Sequence, residues 1–151
     1  MDFTINQYTF GERPPVSLPS PEFLKLLKEE GIRKMVSDHY DLVHQSKISK
    51  LFPSSKEALE SAKKNSADFF VQICGGPRYY DKNRGKPKMV SAHSRFAITM
   101  KARNIWLGCY IEVLSKIELP DEVILSFWNY LNVFSIWMVN TKDEPVSLWK
   151  E

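Results

Sequence analysis

The sequence predicts an all-α fold. Apolar residues recur at helical spacing in several long runs, for example Ile32, Met35, Val36, Tyr40 and Val43. Helix-start and helix-stop chemistry brackets those runs, as at Ser20-Pro21, Ser54-x-x-Glu57, Thr99 and Pro120-Asp121. The chain also lacks period-two alternation, hairpin dipeptides of the Asn-Gly or Asp-Gly type, and internal repeats. Its 151 residues fit one domain with its own core, and 43% apolar content is enough to pack it.

Residues 1–19 are polar and contain Pro14, Pro15 and Pro19, which predicts an extended arm with Tyr8 and Phe10 holding it down. Ser20 caps a first helix and Pro21 occupies its first position, where the missing N–H costs nothing. That helix runs to Glu30, and Gly31 breaks or bends it. The next helix buries the stripe ending in Tyr40 and Val43. A buried phenol needs a hydrogen-bond partner, either a backbone carbonyl or a bound ligand. His39 and His44 share that helix but not a face, which excludes a metal pair and leaves both as structural or solvent-facing.

Leu51-Phe52-Pro53 closes a short turn. The helix after it directs Leu59, Ala62, Ser66, Phe69, Phe70 and Ile73 inward, with Lys56, Lys63 and Lys64 in solvent. Ala62 and Ser66 are small residues on a bulky stripe, so a neighbouring helix or a cofactor packs there. Farther on, Thr99 caps a helix with Ala102, Ile105, Trp106, Cys109, Val113, Leu114 and Ile117 on its apolar side. Pro120-Asp121 ends it and opens the last helix, which presents Ile124, Phe127, Trp128, Leu131, Phe134, Ser135 and Met138. The short turn makes these two helices antiparallel neighbours.

Between Gly75 and Trp106 lies an aromatic and basic segment punctuated by Gly and Pro, a long ordered connection between helices. One histidine, His93, stands in a short helix-permitting run within it, with Met89 four residues before. On its residues alone it is either an unengaged histidine or a metal ligand.

The net charge of +3 with dispersed lysines argues against nucleic acid. No apolar run reaches the roughly 18 residues that span a bilayer. The N-terminus has no basic region followed by an apolar stretch, so no secretory signal is expected. Cys74 and Cys109 have no metal-ligand spacing and sit at apolar helical positions, as reduced, buried residues of an intracellular, cytoplasmic protein.

Gly75-Gly76-Pro77 with Tyr80, then Arg84-Gly85-x-Pro87, His93-x-x-Phe96-x-Ile98 and Trp106-Leu107-x-Cys109 together resemble a truncated haemoglobin of group II, over residues 30 to 140. The resemblance implies a two-over-two helical sandwich around haem b, with a domain over 20–141, an N-terminal extension at 1–19 and a tail at 142–151. It implies that His93 is the axial ligand, its other ring nitrogen held by a nearby carbonyl. Tyr80, Arg84, Met89, Phe96, Ile98, Phe52 and Phe70 fall at cofactor positions, Tyr80 and Arg84 toward the propionates. Tyr40, Trp106, Ala62, Ser66 and Phe69 fall at distal positions.

Such proteins bind O₂, NO or similar diatomic gases, and relatives are associated with peroxide turnover and NO detoxification. NO dioxygenase or peroxidase-like chemistry would need an external electron donor. Gas sensing and a haem-free helical interaction module are the alternatives. One donor onto a ligand of partial negative charge, at about 1.5–3 kcal/mol, would slow release roughly ten- to hundredfold. The chain departs from the family pattern in places. Ala62 stands where a gating histidine or glutamine is common, and Phe52 where several members carry a hydroxylated tyrosine. Ser66 is smaller than usual, Ala92 replaces a basic residue before His93, and Gly31 stands alone where a glycine pair is usual.

Overall fold

The computed structural model describes residues 1–143, and every regular element in it is helical. Helix α1 spans Pro21–His44, followed by a single 3-10 turn at Ser49–Leu51 and α2 at Lys56–Ile73. Two short helices come next, α3 (Tyr79–Arg84) and α4 (Met89–His93), within the connection that the sequence marks as a loop. Helices α5 (Met100–Leu114) and α6 (Asp121–Met138) complete the fold. The tail predicted over 142–151 lies outside the described residues from 144 onward.

Local chemistry explains most of the boundaries. The Ser20 hydroxyl accepts from the N–H of Glu22, with Pro21 at the first helical position. The Thr99 hydroxyl accepts from Ala102 and opens α5. The start of α2 differs by one residue from the predicted capping box: Ser55, not Ser54, caps it, accepting from Ala58 N–H. The reciprocal bond expected from Glu57 therefore does not form part of the cap. At the other end of α2, Gly75 adopts φ 92°, a left-handed conformation that lets the chain leave the helix. Gly76 has no room for a side chain, because a Cβ would lie 2.7 Å from Leu24 and 2.9 Å from the Val71 carbonyl oxygen.

The predicted break at Gly31 is corrected. Helix α1 kinks at Lys28, with φ 66° and ψ 168°. A non-glycine residue there stores strain of about 1–3 kcal/mol. Gly31 serves packing instead: the Leu27 side chain folds back to within 2.5 Å of where a Cβ would sit.

Helices α1 and α2 form one pair, α5 and α6 the other, and α1 packs on both members of the second pair. The shared core joins Phe23, Ile32 and Val36 of α1 to Phe70 and Val71 of α2, Leu107 and Leu114 of α5, and Ile124, Phe127 and Leu131 of α6. Phe23 and Phe127 stack at 4.3 Å with an interplanar angle of 5°. Each large apolar side chain removed from water contributes about 1.5–3 kcal/mol.

The buried stripe of α1 is Ile32, Met35, Val36, His39 and Val43, so His39 is fully buried and Tyr40 lies half-buried beside it. Lys63 is also not in solvent; it reaches back to Ser37 at 3.0 Å and Asp41 at 2.9 Å. Cys74 is buried as predicted, whereas Cys109 is only half-buried. No helix among the described residues is long and apolar enough to cross a membrane.

The arm is extended and runs along α6 and α5. Phe3 meets Trp128 edge-on at 5.5 Å, and Trp128 Nε1–H and Asn132 Nδ2–H both donate to the Thr4 carbonyl. Trp137 Nε1–H donates to Pro14 O at 2.7 Å. Phe3, Ile5 and Val16 supply the apolar contacts; Phe10, expected to do so, is exposed, while Tyr8 lies under the guanidinium of Arg103.

Candidate functional site

A cavity of about 340 Å³ opens between the helix pairs, lined from α1, α2, α3, α4, α5, α6 and the 3-10 turn region. It brings together every residue that the sequence singles out for a site. Tyr40 comes from α1 and Phe52 from the segment after the 3-10 turn. Ala62, Ser66, Phe69 and Phe70 come from α2. Tyr80 and Arg84 belong to α3, Met89 and His93 to α4, Phe96 and Ile98 to the chain after it, and Trp106 to α5.

His93 closes the last turn of α4. Its Nδ1–H donates to the Met89 carbonyl at 2.6 Å, one helical turn back. A carbonyl can only accept, so the proton of the neutral ring sits on Nδ1 and Nε2 keeps its lone pair. Nε2 has no partner among the described residues.

The wall formed by α1, α2 and α5 carries the hydroxyls and the indole. Tyr40 Oη and Ser66 Oγ lie 2.7 Å apart, and either can donate. Burial raises the Tyr40 phenol above its ordinary pKa, more than Ser66 lowers it, so it is a protonated donor. Phe52 meets the Tyr40 ring edge-on at 5.5 Å and fixes its tilt. The Trp106 indole N–H makes no hydrogen bond among the described residues, although its ring lines the cavity.

Behind this wall His39 stacks on Tyr110, with ring centroids 3.6 Å apart, and Nε2–H donates to the Trp106 carbonyl at 3.0 Å. Burial pulls the imidazole down to about 3, against the opposing pull of that carbonyl, so the ring is neutral. His39 thereby ties α1 to the turn of α5 that carries Trp106.

The mouth is built on α3 and the segment after α4, where Arg84 and Arg95 are exposed and Tyr80 is half-buried. Helix α3 is braced against α2. The Gln72 amide donates to Asp81 Oδ1 at 2.8 Å and accepts from Asp81 N–H at 3.0 Å, and Arg78 pairs with Asp81. Farther along the same side, the buried Asp68 accepts from Arg33 at 2.8 Å, Lys64 at 3.0 Å and Asn83 at 3.4 Å. Burial raises the Asp68 carboxyl, but the hydrogen bonds and charges of Arg33 and Lys64 outweigh it and hold it below the usual carboxylate range.

Among the polar residues that line the cavity, sequence reasoning did not single out His39, Asn65, Arg95, Arg103, Tyr110 and Ser135 for the site. His39 and Tyr110 carry a signal, since His39 continues the Ile32–Met35–Val36 spacing and Tyr110 stands one turn beyond Trp106. Arg103 carries none. It is a buried cation whose guanidinium donates to Ser135 Oγ, Asn6 O, Asn132 O and Asn132 Oδ1, at 2.7–3.2 Å. Those acceptors lie in α6 and the N-terminal arm.

The chain is similar to known globins along most of its length. A family model described as bacterial-like globin matches residues 23–140. Group 2 truncated hemoglobin YjbI of Bacillus subtilis (strain 168) is 29% identical over 116 residues, which is 76% of this chain and 86% of that protein. The crystal structure of phosphate-bound Hell's gate globin IV superposes with a TM-score of 0.84 at 41% identity, covering 92% of this chain and 87% of that one. The truncated oxygen-avid haemoglobin from Bacillus subtilis superposes with a TM-score of 0.73 at 25% identity, covering 80% of this chain and 99% of that one. The chain belongs to the bacterial-like globin family as a group II truncated haemoglobin, and membership implies ligand binding through haem.

Proposed function

We propose that this chain holds haem b through His93 and retains O₂ or a related diatomic gas, NO among them, by hydrogen bonds from Tyr40 and Trp106. The observation that carries the reading is the His93 tautomer: Nδ1–H is spent on Met89 O, and the lone pair of Nε2 is left on a residue that lines the cavity. The cavity fits such a group. Phe52, Phe69, Phe70, Met89, Phe96 and Ile98 supply apolar faces, and Tyr80 and Arg84 stand near the mouth where propionates would need donors. Bound haem would supply an iron that coordinates diatomic gases and changes oxidation state by one electron.

The chain's own residues then decide retention. When Ser66 donates to Tyr40, the Tyr40 hydroxyl hydrogen is free to point into the cavity. The Trp106 N–H can only donate, which suits a ligand of partial negative charge. Ala62 leaves the approach over α2 unblocked, and the aromatic walls exclude bulk water. Two donors favour slow release, and hence redox work on NO or peroxide with electrons from an external donor, over transport.

Purified protein titrated with haemin tests the reading. A Soret band that is lost in His93→Ala is the expected result. O₂ release should accelerate roughly ten- to hundredfold in Trp106→Phe and in Tyr40→Phe. A Soret band indifferent to His93, or release unchanged in both variants, overturns it.

A further inference from the structure

A buried phenol normally finds a partner for its hydroxyl. Tyr110 does not. It is 1% exposed, it lines the cavity, and its hydroxyl makes no hydrogen bond among the described residues. Nor is that hydroxyl sealed inside packed atoms. Among the described residues, Asn104 Oδ1 is the one buried side-chain polar atom closed off without a partner. The Tyr110 hydroxyl therefore borders open space, and since almost none of the residue reaches the surface, that space is the cavity.

The ring cannot swing away to find water. It stacks on His39 at 3.6 Å, and Trp106, Phe70 and Phe127 meet it edge-on. No polar neighbour among the described residues answers the hydroxyl: His39 Nε2–H is spent on the Trp106 carbonyl, Tyr40 pairs with Ser66, and the Trp106 indole N–H makes no hydrogen bond. Burial also raises the phenol well above its ordinary pKa, so the hydroxyl keeps its proton. Tyr110 follows Trp106 by one helical turn and projects from the same side of α5.

We propose that Tyr110 is a further ligand-binding residue, whose hydroxyl donates a hydrogen bond to a diatomic molecule with an acceptor oxygen in the part of the cavity behind Trp106. This rests on the haem reading above. It adds a donor deeper than Tyr40 and Trp106, held rigidly and left unsatisfied until a ligand arrives. The aromatic walls restrict the occupant to small molecules.

Carbon monoxide on the reduced, haemin-loaded protein is the probe, read by its C–O infrared stretch in wild type and Tyr110→Phe. Loss of a donor should move the band to higher frequency, and O₂ release should speed up severalfold. The haem-free chain supplies an independent readout. Because the hydroxyl has no protein partner, Tyr110→Phe should melt at the wild-type temperature or above it. An unchanged C–O band with unchanged release overturns the proposal, as does a lowered melting temperature, which would reveal a structural partner. A Soret band in wild type with neither a C–O shift nor faster release in the variant removes this proposal alone; no Soret band in wild type removes the haem reading and this proposal together.

Discussion

Two regions of the molecule bury polar groups, and they treat them in opposite ways. In the braces, every group is answered by the protein. Asp68 accepts from Arg33, Lys64 and Asn83, and Arg103 donates to two backbone carbonyls, a hydroxyl and an amide oxygen. In the cavity, the Trp106 indole and the Tyr110 hydroxyl have no partner among the described residues, and Tyr40 has one. Buried polar groups in folded proteins are ordinarily paired, and an unpaired one costs about 1–3 kcal/mol. The braces therefore hold shape, while the cavity forgoes stability to keep donors ready. Changing a brace should cost stability; changing a cavity donor should cost ligand retention.

The largest expected effect belongs to Arg103. Arg103→Met keeps the volume but leaves the Asn6 and Asn132 carbonyls without their donor. A loss of about 3–4 kcal/mol is expected, read as a shifted urea midpoint. The arm should come loose as well, because Asn6 O is one of the bonds that hold it. Limited proteolysis within residues 1–19 should become fast. An unmoved midpoint with a protected arm would break the brace half of the comparison.

His39 lies between the two regions and makes the comparison pH-dependent. Its imidazole titrates near 6.5 in an unfolded chain and about 3 in the fold. Depressed in the native state, it contributes stability that is complete above pH 6.5 and is lost as pH falls toward 3. The slope is roughly 1.4 kcal/mol per pH unit, so about 2 kcal/mol is gone at pH 5. His39→Gln can still donate to the Trp106 carbonyl but does not titrate. Its urea midpoint should stay level between pH 7 and 5 while that of the haem-free wild type falls. A wild-type curve as level as the variant's would refute this account of His39.

How far this division was legible in the sequence depends on the range of the interactions. Ser20, Pro21 and Thr99 announce their helices because a cap is satisfied within three residues. Two adjacent serines defeat the same logic by one position, since Ser54 and Ser55 can each cap and it is Ser55 that accepts from Ala58 N–H. Helical spacing admits both Tyr40, four residues after Val36, and His39, four after Met35 and three after Val36; the fold buries His39 and leaves Tyr40 half-buried at the cavity wall. The cavity residues were legible through the family motif; periodicity alone reaches only a helical domain. Arg103 was not legible at all. A cation in an apolar stripe is explained only by acceptors far off in sequence, on Asn6, 97 positions earlier, and on Asn132 and Ser135, 29 and 32 positions later. Nor was the kink at Lys28, which no residue type near it demands.

A smaller effect is expected from Asp68→Asn. The carboxylate is buried, but its partners Arg33 and Lys64 are 39% and 60% exposed and can return to water. About 1–2 kcal/mol is expected at neutral pH, well below the cost of orphaning a fully buried group. Since the folded pKa of Asp68 is depressed, its contribution is present above the unfolded value near 3.9 and is lost as pH falls below it. The penalty of Asp68→Asn should thus be level between pH 7 and 5, where that of His39 protonation grows, and should shrink only below pH 4. A penalty that vanished already at pH 5 would assign it to another group.

The smallest expected effect is at Ser66, which tests whether a cavity hydroxyl can be removed almost without consequence for the fold. Ser66→Ala deletes the partner of Tyr40 but leaves the Tyr40 hydroxyl facing cavity space, where water or ligand can answer it. Stability should change by less than about 1 kcal/mol. Retention should respond in a definite direction. Without Ser66 to hold the phenol oxygen, the Tyr40 hydroxyl loses its preferred orientation while Trp106 is untouched, so O₂ release should rise only severalfold, less than in Tyr40→Phe. Release as fast as in Tyr40→Phe would mean that Ser66, and not Tyr40, meets the ligand. A stability loss of about 3 kcal/mol would mean that the Tyr40–Ser66 pair is a brace like Arg103, and the line between the two regions would have to be redrawn through the cavity wall.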